Sequence, residues 1–257
     1  MDGTSNNSAL GKDIFAELYR ADLEREAEVM RYGAVEKANS IQFLLQEAGM
    51  TPDTILELGC GTGAVLGECQ RRGLGKEYFG VDYSQEAIEY LRAHVTGVQT
   101  AVVDLMVDDL PFEGPFDVVV LSHVLEHMEE PGVFLASALH NLKFQFLVAE
   151  VPLEDLPVLR LRKRLFGNPS VGVGHIQSYR KATFEQMLRT SGLTVVGRRT
   201  YLPIPSREML RLIREKDGES TRTYYRRLLG RWLKVIFRPL WMRLYYAHYA
   251  CLCVPRT

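Results

Sequence analysis

Apolar residues recur at every third or fourth position through residues 13–47, DIFAELYRADLEREAEVMRYGAVEKANSIQFLLQE, among good helix formers. That pattern predicts two helices with a break near Tyr32 and Gly33. Past Gly49 and Pro52 the pattern changes: TILELG is almost wholly apolar and runs into the glycine cluster CGTG, which leads into AVLGECQRRG. The reading there is strand, tight turn, helix. The alternation repeats in YFGVDY and SQEAIEYLRAHV, in VQTAVVDL and a loop, in FDVVVLS and HVLEHMEEPGVFLASALHNL, and in QFLVAEV with a long segment after it. Strands that are apolar throughout and separated by helices imply a parallel sheet covered on both faces. We therefore expect a doubly wound α/β core.

Further on, TFEQMLRTSG reads as a helix ending at Gly192, LTVVGRRTY as a sixth strand and YYAHYACLCV as a seventh. The last two are separated by residues 203–244, a basic, aromatic and helical insertion, which projects from the sheet edge if its flanking strands pair as a hairpin. The expected organisation is an N-terminal helical cap over residues 1–48, a core over 49–202 and 245–257, and the insertion between them. The sheet is then seven-stranded and mostly parallel.

Bulk numbers fit one core with additions. The chain has 257 residues, 46% apolar and 25% charged, which excludes a disordered chain. Its net charge of −1 hides an asymmetry, because residues 203–257 carry twelve Arg or Lys against four Asp or Glu. Cys60, Cys69, Cys251 and Cys253 form no disulfide framework and no C-x-x-C pair, so reduced thiols are expected. MDGTSNNSALGKDIF lacks the apolar run of a signal peptide, and no stretch of about twenty apolar residues follows. A cytoplasmic protein is the expectation.

The first glycine turn carries the most chemistry. In ILELGCGTG, residues 55–63, a buried strand meets Gly59, Cys60, Gly61 and Gly63, and the missing side chains let a ligand lie against the backbone. Its spacing is G-x-G-x-G, not the G-x-G-x-x-G of a dinucleotide turn. Glu57, two residues earlier, would repel a pyrophosphate and suits a cationic ligand. GVDYS places Asp82 at a strand end, where a carboxylate can accept both hydrogen bonds of a ribose diol. Asp104, in AVVDL, closes a third strand within reach of an adenine amino group.

In this order and spacing, ELGCGTG, VDYS, VVDL and FDVVVLSHVLEH resemble the class I S-adenosylmethionine-dependent methyltransferases. The likeness is strongest to their small-molecule branch, which includes the ubiquinone O-methyltransferases. It implies a Rossmann-like fold and S-adenosyl-L-methionine as cofactor. It also implies that Gly59 and Gly61, within the turn formed by Glu57, Cys60 and Gly63, approach the methionine part, and that Asp82 binds the ribose. Tyr83 would flank the adenine, Asp104 and Leu105 would meet its amino edge, and Ser122 and His123 would lie beneath the sulfonium. In related enzymes N-terminal helices close over the cofactor, which makes Tyr19, Arg31, Tyr32 and Lys37 candidates for its carboxylate; packing in the core is the competing reading for Tyr19 and Tyr32.

Transfer from a sulfonium is an in-line displacement, helped by positioning and, for a hydroxyl acceptor, by a base. Of six histidines, His94 and His140 fall on helices that flank the sheet and His248 precedes the last strand, leaving His123, His127 and His175 as catalytic candidates. His175 stands in GHIQSY, which resembles the GH-x-x-x-Y segment bordering the acceptor pocket in this branch. His123 to His127 also spell the H-x-x-E-H pattern of inverted zinc peptidases, and nothing beyond those five residues supports that reading. Glu126 and His127 resemble part of a metal-binding E-x-x-E-H pattern, with His123 where the first glutamate would stand. A divalent metal held by His123, Glu126, His127 and His175 would lower the pKa of an acceptor hydroxyl. L-E-H also occurs in metal-free relatives, where it shapes the pocket floor, and that reading is the one adopted here.

RTYYRRLLGRWLKVIFRPLWMRLYY, in the insertion, admits a helical lid with a solvated basic face, a surface for anionic lipid, or a nucleic-acid patch. The lid comes first and nucleic acid last, since no RNA-binding module is evident. RLRKRLFG, residues 160–167, adds a second basic cluster, so an anionic or lipid-linked small-molecule acceptor and peripheral membrane contact are expected. The function expected is O-methylation of such an acceptor; the alternative is a cofactor-binding regulatory or scaffold protein without transfer activity.

Overall fold

The computed structural model describes residues 8–140, 142–166, 175–216, 218–244 and 246–256, with side chains from residue 22 onward other than 162, 163 and 166. The elements, in chain order, are α1 (Ser8–Glu47), β1 (Thr54–Leu58), α2 (Ala64–Arg71), β2 (Glu77–Asp82), α3 (Gln85–His94), β3 (Val98–Val102) and β4 (Phe116–Ser122). A 3₁₀ turn at Leu125–His127 precedes α4 (Pro131–Ala138), β5 (Phe144–Leu153), α5 (Pro157–Phe166), α6 (Lys181–Thr190) and β6 (Leu193–Tyr201). The insertion follows as α7 (Arg207–Lys216), α8 (Thr221–Ile236) and α9 (Arg238–Leu244), and β7 (Ala247–Pro255) returns to the sheet.

The seven strands lie in the order β3-β2-β1-β4-β5-β7-β6, and only β7 runs antiparallel to its neighbours. This is the doubly wound α/β sheet that the apolar pattern predicts, with the Rossmann-like order that the resemblance implies. Side chains alternate between faces along each strand. Leu56, Leu58, Val119, Leu121 and Ala149 pack with α4 and α6 on one face, through Phe134, Leu135, Phe184 and Leu188. Ile55, Val118, Val120, Val148 and Leu252 pack with α1, α2 and α3 on the other, through Ile41, Leu44, Leu66 and Leu91. Strand order reverses between β1 and β4, and ligands of such sheets bind at the carboxyl ends beside that switch.

Three sequence expectations are corrected. The helix break falls at Asp22, whose φ of −163° and ψ of 80° leave helical space, and not at Tyr32–Gly33. The Asp22 carboxylate accepts the Arg25 backbone N–H and so caps the second segment. Gly33 stays helical because Ala27, Ala34, Ala38 and Ile41 form a continuous buried stripe on either side of it. The helix expected from His123 begins only at Pro131, since His123 has a φ of 60° and the next residues form the 3₁₀ turn. Finally β3 ends at Val102, two residues before Asp104, although Val103 still donates its N–H to the Asp82 carbonyl.

Strands β6 and β7 pair as an antiparallel hairpin, which fixes where the insertion sits. Tyr201, at the end of β6, pairs with His248, and Leu153, at the end of β5, pairs with Ala247, so residues 203–244 leave and rejoin the sheet at its carboxyl rim. There α7 packs on α1, with Lys216 Nζ 3.2 Å from Glu28 Oε2, and α9 packs on α5. The insertion thus stands over the same rim as the glycine turn.

Two of the turn glycines are required by the protein itself. A Cβ on Gly63, at φ +74°, would lie 2.5 Å from Leu91 Cγ, and one on Gly59 would lie 2.6 Å from Val124 Cγ2. The space on the Cβ side of these two carbons is filled by side chains. Gly63→Ala is therefore expected to cost about 2–4 kcal/mol, combining overpacking with a left-handed backbone. Chemical denaturation would measure it, and a loss below ~0.5 kcal/mol would show that α3 gives way freely.

Candidate active site

The rim beside β1 and β4 is built around buried carboxylates. Gly59 and Cys60 both donate their N–H groups to the Val81 carbonyl, which folds the glycine turn back over β2. The Asp82 carboxylate then receives the Gly61 N–H on Oδ2 at 2.8 Å and the Ser84 N–H on Oδ1 at 3.0 Å. Burial nevertheless raises its pKa, with those backbone donors opposing. Glu57 is 2% exposed and its Oε2 has no hydrogen-bond partner among the described residues. Burial pushes its carboxyl up to about 8, against the pull of the Lys37 ammonium. Ser122, at the end of β4, is buried with its Oγ equally unpartnered.

Around them the other sequence-predicted residues take distinct places. Cys60 turns its sulfur toward Gly80 and the core, so its contribution to a ligand site would be backbone; burial raises its thiol pKa. Tyr83 is half-buried on the rim. Asp104 organises a turn, accepting the Met106 N–H on Oδ1 while its own N–H donates to Asp108, and Leu105 accepts from Ser137 Oγ. Helix α1 lies across the glycine turn, where Thr62 Oγ1 reaches Met30 Sδ at 3.7 Å. Lys37 of that helix acts on Glu57, His123 and His248 together. Arg31 reaches outward to Tyr90 on α3, and the Tyr19 side chain lies outside the described residues.

The histidines divide into two groups on either side of Glu126, which is fully buried. On one side His127 and His175 pack edge to face at 4.9 Å, and His175 Nδ1 lies 2.9 Å from Glu154 Oε1. Residues 175–179 are pinned there because Ile176 and Gln177 both donate N–H to the Glu126 carbonyl and Tyr179 donates its hydroxyl to the Leu125 carbonyl. On the other side His123 Nδ1 is 2.9 Å from Glu126 Oε1, and its Nε2 is 3.3 Å from Glu150 Oε1 and 3.2 Å from His248 Nδ1. Burial alone would raise the Glu126 carboxyl; the His123, His127 and His175 imidazoles overrule it and hold it down at about 2. Burial and Lys37 would lower His123, but Glu126 and Glu150 prevail and raise it.

The profile of the methyltransferase domain family matches residues 27–197, two thirds of the chain. The chain belongs to this family. It is a class I S-adenosylmethionine-dependent methyltransferase by fold and family, with S-adenosyl-L-methionine as the methyl donor. The ubiquinone biosynthesis O-methyltransferase of Serratia proteamaculans is 32% identical to it over 108 residues, covering 40% of this chain and 44% of that one. The mitochondrial ubiquinone biosynthesis O-methyltransferase of Schizosaccharomyces pombe is 36% identical over 94 residues, 35% of this chain and 34% of that one. The matched segment thus spans less than half of these relatives. Magnesium protoporphyrin IX methyltransferase of Synechocystis, solved with S-adenosylhomocysteine, superposes with a TM-score of 0.55 at 18% identity over 90% of this chain and 86% of that one. The plantazolicin methyltransferase BpumL gives 0.59 at 16% identity over 98% and 95%. At such identities the likeness is one of fold.

Placed on the methyltransferase, the four-residue metal set considered from sequence comes apart. Glu126, His127 and His175 offer ligand atoms within 4.8 Å of one another, while His123 turns to Glu150 and His248. Sequence reasoning missed Glu150, Glu154, Tyr201 and His248. An acid inside the apolar run QFLVAEV was the available signal for Glu150, because a charge on a buried strand needs a partner. His248, set aside as preceding the last strand, is the second residue of β7 and is buried.

Proposed function

We propose that the methyltransferase transfers a methyl group in line to a hydroxyl of an anionic or lipid-linked small molecule. The observation that carries the cofactor half is the pair of buried polar atoms, Glu57 Oε2 and Ser122 Oγ, that have no partner among the described residues and lie at the carboxyl ends of the two strands flanking the switch point. A buried carboxylate oxygen without a donor suits an ammonium. S-adenosylmethionine, when bound, supplies an electrophilic methyl on a sulfonium. Glu57 would hold its amino group, Gly59, Cys60 and Gly61 the methionine part, Asp82 the ribose, Tyr83 the adenine face, Asp104 and Leu105 the adenine edge, and Ser122 and His123 the sulfonium end.

The acceptor half rests on His175. Its Nδ1–H is fixed by Glu154, which leaves Nε2 as the nitrogen able to take a proton from an acceptor hydroxyl, the arrangement by which a carboxylate sets a histidine's tautomer. His127 lies against it and Glu126 closes the floor behind. In a second reading Glu126, His127 and His175 hold a divalent ion that lowers the acceptor pKa; their mutual approach favours it. Calorimetry with S-adenosylhomocysteine tests the cofactor half: stoichiometric binding is expected, and none by the wild type would end this reading. His175→Ala should lower methyl transfer about 10²–10⁴-fold while leaving that binding unchanged. Activity that survives chelation would exclude the ion.

The insertion supports the acceptor class. Leu229, Trp232 and Ile236 on α8, Phe237 between the helices and Leu240 on α9 are each at least half exposed, in a stretch that also carries Arg226, Lys234 and Arg238. No helix among the described residues is long and apolar enough to cross a membrane. We read this face, with residues 203–244 as a lid, as a peripheral contact for anionic lipid at the cytoplasmic side of a membrane. Co-sedimentation with phosphatidylglycerol vesicles should fall on raising salt and in a Trp232→Ala, Phe237→Ala double variant; binding equal to that of uncharged vesicles would refute it.

A further inference from the structure

Of the group His123, Glu150 and His248, only His123 has a place in the scheme above, beneath the sulfonium end. The group joins the rim ends of β4, β5 and β7, and its ligand atoms lie 3.2 Å (His123 Nε2 to His248 Nδ1), 3.3 Å (His123 Nε2 to Glu150 Oε1) and 3.7 Å (His248 Nδ1 to Glu150 Oε1) apart. Four-coordinate zinc with bonds of about 2.0–2.1 Å separates its ligands by about 3.3–3.4 Å. These three edges bracket that spacing.

His123 Nδ1 lies 2.9 Å from the Glu126 carboxylate, which leaves its Nε2 facing Glu150 and His248. His248 Nε2 lies 3.1 Å from the Tyr246 hydroxyl, which holds the ring so that its Nδ1 faces His123 Nε2. Glu150 Oε1 is the third donor, and the Tyr201 hydroxyl, 2.7 Å from it and 3.0 Å from His248 Nδ1, has one hydrogen to give. Two imidazole nitrogens and a carboxylate oxygen therefore converge on one point, where either a proton carried by His123 or a metal ion holds them together. His248 also has an outer hydrogen bond, to Tyr246, of the kind that orients metal ligands.

We propose that His123 Nε2, Glu150 Oε1 and His248 Nδ1 form a binding site for a divalent transition metal of the zinc class. Two imidazole nitrogens and one carboxylate suit zinc or cobalt and are a poor shell for magnesium, which demands oxygen and an octahedron. The site is separate from the Glu126, His127 and His175 group, with Glu126 serving it only through the other nitrogen of His123.

The full-length chain, stripped with chelator and dialysed, is titrated with Co²⁺ and Zn²⁺ while visible absorption and bound metal are followed. One equivalent should bind with the absorption of four- or five-coordinate cobalt, and zinc should displace it. A His127→Ala, His175→Ala double variant should keep that signal. Glu150→Gln and His248→Ala should each weaken it at least about tenfold, and Glu150→Gln, which keeps an acceptor for Tyr201, guards against a mere loss of folding, checked by thermal denaturation. No uptake by folded wild type would overturn the proposal, because a proton alone then holds the cluster. A signal lost in the His127, His175 variant and kept in His248→Ala would overturn it equally. S-adenosylhomocysteine calorimetry on the same samples reads the methyltransferase assignment independently.

Discussion

Asp82→Ala should reduce affinity for S-adenosylhomocysteine about 100-fold or more. The carboxylate would accept two charge-assisted hydrogen bonds from the ribose diol, each worth ~1.5–3 kcal/mol, and every 1.4 kcal/mol is tenfold in affinity. The same oxygens hold the Gly61 and Ser84 N–H groups, so the variant also removes the side-chain tie between the glycine turn and β2, while the two backbone bonds to Val81 remain. Asp82→Asn separates the two effects only in part, since its NH₂ would face one of those donors. Asp104→Asn, at a partly exposed position, should lose much less. Calorimetry ranks the three. An Asp82→Ala affinity within about threefold of wild type would remove the ribose contact from the scheme.

Glu57→Gln should change how stability and cofactor binding respond to pH. With its carboxyl raised by burial from 4.5 to about 8, the folded protein holds a proton that the unfolded chain has already lost between those values. Stability contributed by the protonated acid is complete below pH 4.5 and is lost as pH rises through 8. Denaturation midpoints of the wild type should fall across this window, and Glu57→Gln should flatten the fall. Binding of a cofactor ammonium against Glu57 favours the carboxylate, so a sizeable fraction of a proton should leave on binding at pH 7. The observed binding enthalpy would then depend on the buffer's own ionisation heat in the wild type and much less in the variant. Equal buffer dependence in both proteins would place the ammonium elsewhere.

Much of the fold is legible because α/β strands announce themselves as apolar runs. LTVVGRRTY is β6 to the residue, whereas the hairpin pairing of β6 with β7 was left open by the sequence and comes from the structure. Local conformation was harder to read. Asp22 as a cap outweighed the Tyr32–Gly33 step, because the buried alanine stripe around Gly33 exceeds one glycine's cost of about 1 kcal/mol. The left-handed backbone of His123 has no sequence signature at all in a non-glycine residue. The cofactor rim was legible because its acids close successive strands. Its histidine floor was not, because Glu150 and His248 are neighbours only through the pairing of β5 with β7, which inserts the last strand ahead of the sixth. Periodicity places residues on faces; it does not order the strands.

That order bears on how the chain comes into being. During synthesis β1 to β5 can pair as they emerge, yet β6 finds no place beside β5, since that edge belongs to β7. β6 must wait, through the making of α7, α8 and α9, for a strand that pairs with it on one side and with β5 on the other. Until then the half-built sheet carries an open apolar edge, the kind of species that aggregates or engages chaperones. His123 and Glu150 acquire His248 only at this last step, so the deepest part of the site is also the last to be assembled.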